Sequence, residues 1–136
     1  MAIVTNQTEL GYLLPAVSKQ MSIEMFKSDI KTIHNDQEAA EREGLPAPIA
    51  VGPQVAALIF RMMGMSFGKG WYQGGSASLT FRRPVFCSDF VTAKGRVKEK
   101  KLEDNGMIRV VCEVWVENQK GDKNIVGTCS GVVSAQ

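Results

Sequence analysis

The run from Gly52 to Gly64, GPQVAALIFRMMG, is apolar almost all the way round a helical wheel, and this limits what the chain can fold into. Gly52 is a suitable N-cap, Pro53 suits the first helical position because its missing N–H would have no partner there, and Gly64 marks the expected end. Only Gln54 and Arg61 interrupt the apolar surface. A helix lying on one face of a flat sheet would leave half of that surface in water, at ~25 cal/mol per Å² of apolar area. Something must wrap it.

The residues downstream read as the wrapper. Ser76 to Arg83 alternates Ala77, Leu79 and Phe81 with Ser78, Thr80 and Arg82, so one face is expected to be covered and the other wet. Phe90 to Lys100 and Met107 to Glu117 follow, joined by Glu103-Asp104-Asn105-Gly106, whose Asn-Gly pair signals a hairpin. After the polar turn Asn118 to Asp122 comes a last strand, Asn124 to Val133, and three sequential strands predict an antiparallel meander. Upstream, Leu13 to Met25 begins strand-like. Ser28 to Ala50 is polar, broken by Gly44, Pro46 and Pro48, and holds at most a short helix around Asp36 to Glu43. A long irregular stretch inside a compact domain points to a functional loop. The expected architecture is α+β, a curved antiparallel sheet wrapped around a central apolar helix.

At 136 residues the chain has the size of one ordinary domain, taken here as residues 1–136. Apolar residues at 44% and charged residues at 22% describe a folded soluble protein. A formal charge of +2 is too mild for a nucleic-acid partner. The start, MAIVTNQTELGY, lacks a basic stretch followed by an apolar run, and no segment approaches the ~20 apolar residues of a membrane helix, so a cytoplasmic protein with no membrane partner is expected. Cys87, Cys112 and Cys129 are an odd number at unrelated spacings, which speaks for reduced thiols and against a zinc site or a disulfide framework. Cys112 and Cys129 fall on the apolar side of their strands and act as small hydrophobes.

The one histidine, His34, lies in Asp29-Ile30-Lys31-Thr32-Ile33-His34-Asn35-Asp36, just ahead of the short acidic helix. Taken alone, it reads as a loop residue and the aspartates as turn or N-cap residues. The Gly52-Pro53 step changes the balance. A helix N-terminus presents unpaired N–H groups and the positive end of its dipole. Gly52 lets another group approach the backbone, Pro53 removes a competing donor, and the place suits a developing oxyanion.

These residues resemble the motif of the MaoC-like hydratases, which include the (R)-specific enoyl-CoA hydratases: an Asp, four residues, a His, a loop, then Pro-Ile-x-x-Gly opening the central helix. Asp29 and His34 have that spacing, His34-Asn35-Asp36 matches the His-x-Asp element, and Pro48-Ile49-Ala50-Val51-Gly52 matches the helix opening. Phe81-Arg82-Arg83-Pro84-Val85-Phe86-Cys87-Ser88-Asp89 is similar to the family's strand ending in Pro-Val-Phe and a Gly-Asp turn, with Ser88 in place of the Gly. The resemblance covers most of the chain from Asp29 onward. It implies a hot-dog fold and the hydration or dehydration of an enoyl or 3-hydroxyacyl thioester. Asp29 and His34 would hold and activate water, and the Gly52 N–H would polarise the thioester carbonyl. Coenzyme A or a phosphopantetheine arm would come as part of the substrate, with no metal or further cofactor, and a homodimer or larger homo-oligomer is implied.

Three features depart from the family pattern. The helix that usually precedes the catalytic Asp is shorter between Met21 and Asp29, a His common before the helix-opening Gly is Val51, and a Ser often found two turns into the helix is Phe60. Asp36 is the second candidate carboxylate, though it reads more naturally as an N-cap. Phe60, Trp71 and Tyr72 are candidates for an acyl pocket, and Arg82 and Arg83 for the phosphates of the thioester arm. Lys94, Arg96, Lys98 and Lys100 share one strand face by period two, and read as a further basic patch or as a solvated sheet face. Two other activities fit the fold: an acyl-CoA thioesterase, and a non-catalytic subunit of a heteromeric hydratase. The Asp-x4-His spacing favours hydration.

Overall fold

The computed structural model describes residues 2–136. A short strand β1 (Val17–Gln20) leads into a single 3-10 turn at Ile23–Phe26 and then into irregular chain interrupted by α1 (Gln37–Arg42). The central helix α2 (Gly52–Phe67) and a single turn α3 (Lys69–Tyr72) precede β2 (Ser76–Phe81), β3 (Phe90–Leu102), β4 (Ile108–Glu117) and β5 (Lys123–Val133). All strand pairings are antiparallel, in the order β1-β3-β4-β5-β2, so the expected meander is the middle of the sheet. No helix among the described residues is long and apolar enough to cross a membrane.

The core lies between α2 and the concave face of the sheet. Ile59, Met62 and Met63 are 0% exposed and join Val91, Ala93, Val97, Val110, Cys112, Val114, Val116 and Cys129 in one cluster. Burial of each such side chain stabilises the fold by ~1.5–3 kcal/mol. The helix runs beyond Gly64 and ends at Gly68, whose φ of 56° is open to glycine and whose N–H donates to Gly64 O at 2.8 Å. Phe67, at 2% exposure, makes the extra turn part of the core. Gly64 has a packing role instead: a Cβ there would lie 3.0 Å from Cζ of Tyr72.

Two strands differ from their sequence patterns. In β3 the register shifts between Val97 and Glu99, a bulge that makes Lys98 the extra residue. Lys94 and Arg96 stay on the convex face, paired with Glu117 (3.2 Å) and Glu113. Lys100 turns to the concave side opposite Val110 and donates to Asn6 O at 3.0 Å. The four basic residues therefore do not form one stripe, and on the convex face they belong to a salt-bridged sheet surface. In β2 the concave face is only partly covered: Ala77, Leu79 and Phe81 sit on it opposite Cys129, Gly127 and Ile125, but only Leu79 packs against the core and Phe81 is 57% exposed. Being the edge strand, β2 extends past the cover that α2 provides.

Candidate active site

The N-terminus of α2 is held between two other pieces of chain. Ile49 N–H donates to Ile33 O (2.9 Å) on one side; on the other, Ala50 N–H donates to Val85 O (2.7 Å) and Cys87 N–H to Pro48 O (3.0 Å). This lattice fixes His34, whose Nδ1 is 2.8 Å from Ile49 O and whose own carbonyl accepts from the Cys87 thiol at 3.3 Å. Burial, helped by the charge of Asp89, pushes the Cys87 thiol pKa up, so it keeps the proton it donates.

A pocket of about 290 Å³ opens at this point, lined by His34, Ile49, Ala50, Gly52, Val55, Phe81, Arg82, Arg83, Pro84, Val85 and Ile125. Four of the expected site residues, His34, Gly52, Arg82 and Arg83, thus face one space. The Gly52 N–H donates to no group among the described residues, and Pro53 has none to offer. The segment Arg82–Pro84 is clamped by Asn124, which is 1% exposed. Its carbonyl accepts from Arg82 N–H (2.8 Å) and Arg83 N–H (3.2 Å), and its Nδ2 donates to Pro84 O (3.1 Å). Neither guanidinium is ion-paired with a carboxylate among the described residues.

Other expected residues lie elsewhere. Asp29 is exposed on a bend and lines a separate depression with Lys27, Ser28, Lys31, Asn35 and Asp36. Asn35, which sequence reasoning passed over, holds that bend: its Oδ1 accepts from Thr32 N–H (2.8 Å) and its Nδ2 donates to Phe26 O (3.1 Å) and Ile30 O (3.0 Å). Asp36 caps α1 through Oδ2, which accepts from Ala39 N–H at 2.9 Å. Phe60 stacks on Trp71, with ring centroids 5.9 Å apart and an interplanar angle of 24°, and Tyr72 is 76% exposed; none of the three lines the His34 pocket. Among the described residues no cluster of His, Cys, Asp or Glu is placed to hold a metal.

A larger cleft, about 790 Å³, lies at the opposite end of α2 between Phe67, α3, the β3–β4 turn and the last residues of the chain. Its arginine, Arg109, is already engaged by Glu103, Gly74 O and Ser130 Oγ. In the smaller pocket the His34 ring and the N-terminus of the long helix α2 come together.

One helix buried in the curve of an antiparallel sheet, with a pocket at that helix's N-terminus, defines a hot-dog domain. The chain belongs to the MaoC like domain family, whose family model matches residues 5–120. Solved structures with the same fold include an (R)-hydratase from A. caviae involved in PHA biosynthesis, 23% identical over 94% of this chain and 98% of that one, with a TM-score of 0.72. The R-hydratase PhaJ1 from Pseudomonas aeruginosa is 21% identical over 98% of this chain and 86% of that one, TM-score 0.74. A chain of the ChsH1-ChsH2 complex from Mycobacterium tuberculosis is 18% identical over 94% and 99%, TM-score 0.70. No curated protein matches the chain.

Proposed function

We propose that this protein adds water to an enoyl thioester, or removes it from a 3-hydroxyacyl thioester, the acyl group being carried on coenzyme A or a phosphopantetheine arm. The observation that carries this reading is the bond between His34 Nδ1 and Ile49 O in the pocket that also holds Gly52. A carbonyl oxygen only accepts, so Nδ1 bears the hydrogen and Nε2 is the free nitrogen of the neutral ring. Nε2 would take a proton from water as its oxygen bonds to C3, and the charge then moves to the thioester oxygen. The Gly52 N–H, at the positive end of a 16-residue helix, would stabilise that oxyanion. Protonation of C2 completes hydration, and the reverse sequence is dehydration.

Asp29, which lines the neighbouring depression, is the proposed partner of His34 on the strength of the Asp-x4-His spacing that resembles the family motif. Arg82 and Arg83 would bind the phosphates of the arm. Membership in the MaoC like domain family and the fold shared with two (R)-hydratases support the reading.

A second copy of the chain is the expected partner. The apolar helix positions Pro53, Ala57 and Phe60 and the concave residues Ala77, Leu79 and Phe81 of β2 are uncovered or only partly covered in one chain, and β2 offers an unpaired backbone edge.

Mixing the protein with crotonyl-CoA should remove the conjugated enoyl absorbance without releasing free thiol. Thiol release instead would replace hydration by thioester hydrolysis. No loss of enoyl absorbance across straight, branched and cyclic enoyl-CoAs would reject the proposal.

A further inference from the structure

We propose that Phe81 sets the width of the pocket at the reacting carbonyl and makes the site selective for thioesters that are unbranched at C2. This rests on the hydratase reading above. Phe81 is the last residue of β2 and pairs with Ile125, so its side chain leaves the concave face toward the start of α2. A Cβ built on Gly52 would lie 3.6 Å from Cε1 and 3.8 Å from Cζ of that ring. The ring therefore runs beside the stretch of backbone that presents the oxyanion donor. Its backbone is held on both sides, by the β2–β5 pairing up to Phe81 and by the bonds from Arg82 and Arg83 N–H to Asn124 O after it.

A thioester oxygen that accepts from the Gly52 N–H places its carbonyl carbon next to this ring, and that carbon bears two substituents, the sulfur and C2. Sulfur is common to every candidate substrate. The group that varies from one thioester to another at this distance is the substituent on C2. Hydrogen fits beside the ring, whereas a methyl group must displace it. One methyl or methylene in a shaped apolar pocket discriminates ~10–200-fold. At 57% exposure in one chain the ring contributes little to that chain's core, and because it also lies on the strip proposed to meet a second copy, light scattering of each variant checks that pairing is kept.

The test compares kcat/KM for crotonyl-CoA and 2-methylcrotonyl-CoA in the wild type, Phe81→Leu and Phe81→Ala, with thermal denaturation run on each. The wild type should prefer the unbranched thioester at least about tenfold. Phe81→Ala should shrink that preference by about tenfold, with Phe81→Leu in between. A packing role would lower both rates together and leave their ratio where it was, which overturns the inference, as does a wild type that accepts both substrates equally. A wild type that hydrates neither removes the hydratase reading and this inference with it. If Phe81→Ala unfolds, the ratio in Phe81→Leu decides.

Discussion

At His34 a single hydrogen bond decides the chemistry. With Nδ1 committed to Ile49 O, the ring has one nitrogen for substrate, and among the described residues no other titratable acid or base lines the pocket apart from the two arginines. His34→Ala should lower hydratase turnover by ~10² or more, with an unchanged circular dichroism spectrum; near wild-type turnover would remove His34 from the mechanism. The two aspartates separate in the same assay. Asp36→Ala loses the α1 cap and should cost ~1 kcal/mol of stability with turnover retained. Asp29→Asn should keep the stability and lose turnover, and an active Asp29→Asn would leave His34 as the sole acid/base group. Spacing in the sequence pointed to His34 and Gly52, and they do share a pocket. What spacing does not carry is the Asn35 side chain that holds Asp29 on its own bend, since its three partners, Phe26, Ile30 and Thr32, are backbone groups that any residue would supply.

Among the elements, the helix and the meander were readable because apolar periodicity reports directly on burial. The Asn105-Gly106 turn and the alternation of β4 fall where the pattern places them, whereas Gly52, expected as the N-cap, is the first residue of the helix and Val51 takes the cap position. The errors have local physical causes. Gly64 carries the signature of a helix stop, but a glycine in a helix can also be a contact point, here for Tyr72. The β3 bulge is invisible because a basic residue is tolerated on either side of it, so Lys98 and Lys100 carry no mark of the change of face. Asn124 is, with Ser130, a buried polar residue of β5, and its Oδ1 has no hydrogen-bond partner among the described residues. That cost, ~1–3 kcal/mol for an unmet acceptor, is understandable if the amide is needed to hold Pro84. Asn124→Ala frees Pro84 O but leaves the two backbone bonds to Arg82 and Arg83, so the lip of the pocket should loosen without opening. KM for the acyl-CoA should rise several-fold while kcat holds, and steady-state kinetics would show it. A fall in kcat at constant KM would mean that Asn124 acts on the reacting groups instead.

At the scale of the whole molecule, the uncovered strip on β2 and the buried thiols under α2 make separate predictions. Leu79 faces the concave side at the open edge, so a charge there should oppose pairing of two copies. Light scattering should find two or more chains per particle for the wild type and one for Leu79→Glu; a monomeric wild type would end the dimer proposal. Cys112 and Cys129 stand directly opposite each other on β4 and β5 at 0% and 1% exposure. Burial pushes both thiols from 9.0 to about 12, with a smaller push on Cys112 from Cys129. In the unfolded chain they ionise near the ordinary value, so above about pH 9 the unfolded state releases protons that the folded state keeps. The stability tied to these thiols is complete below that pH and declines as pH rises toward 12, by up to ~1.4 kcal/mol per pH unit for each thiol. Tyrosine and lysine also titrate there, and the paired variant Cys112→Ala/Cys129→Ala isolates the thiols. Urea unfolding at pH 8, 9, 10 and 11 should give a lower starting stability for the variant, because two small cavities replace the sulfurs, but a shallower decline with pH. Equal slopes for the two proteins would show that these thiols ionise as readily in the folded chain as in the unfolded one.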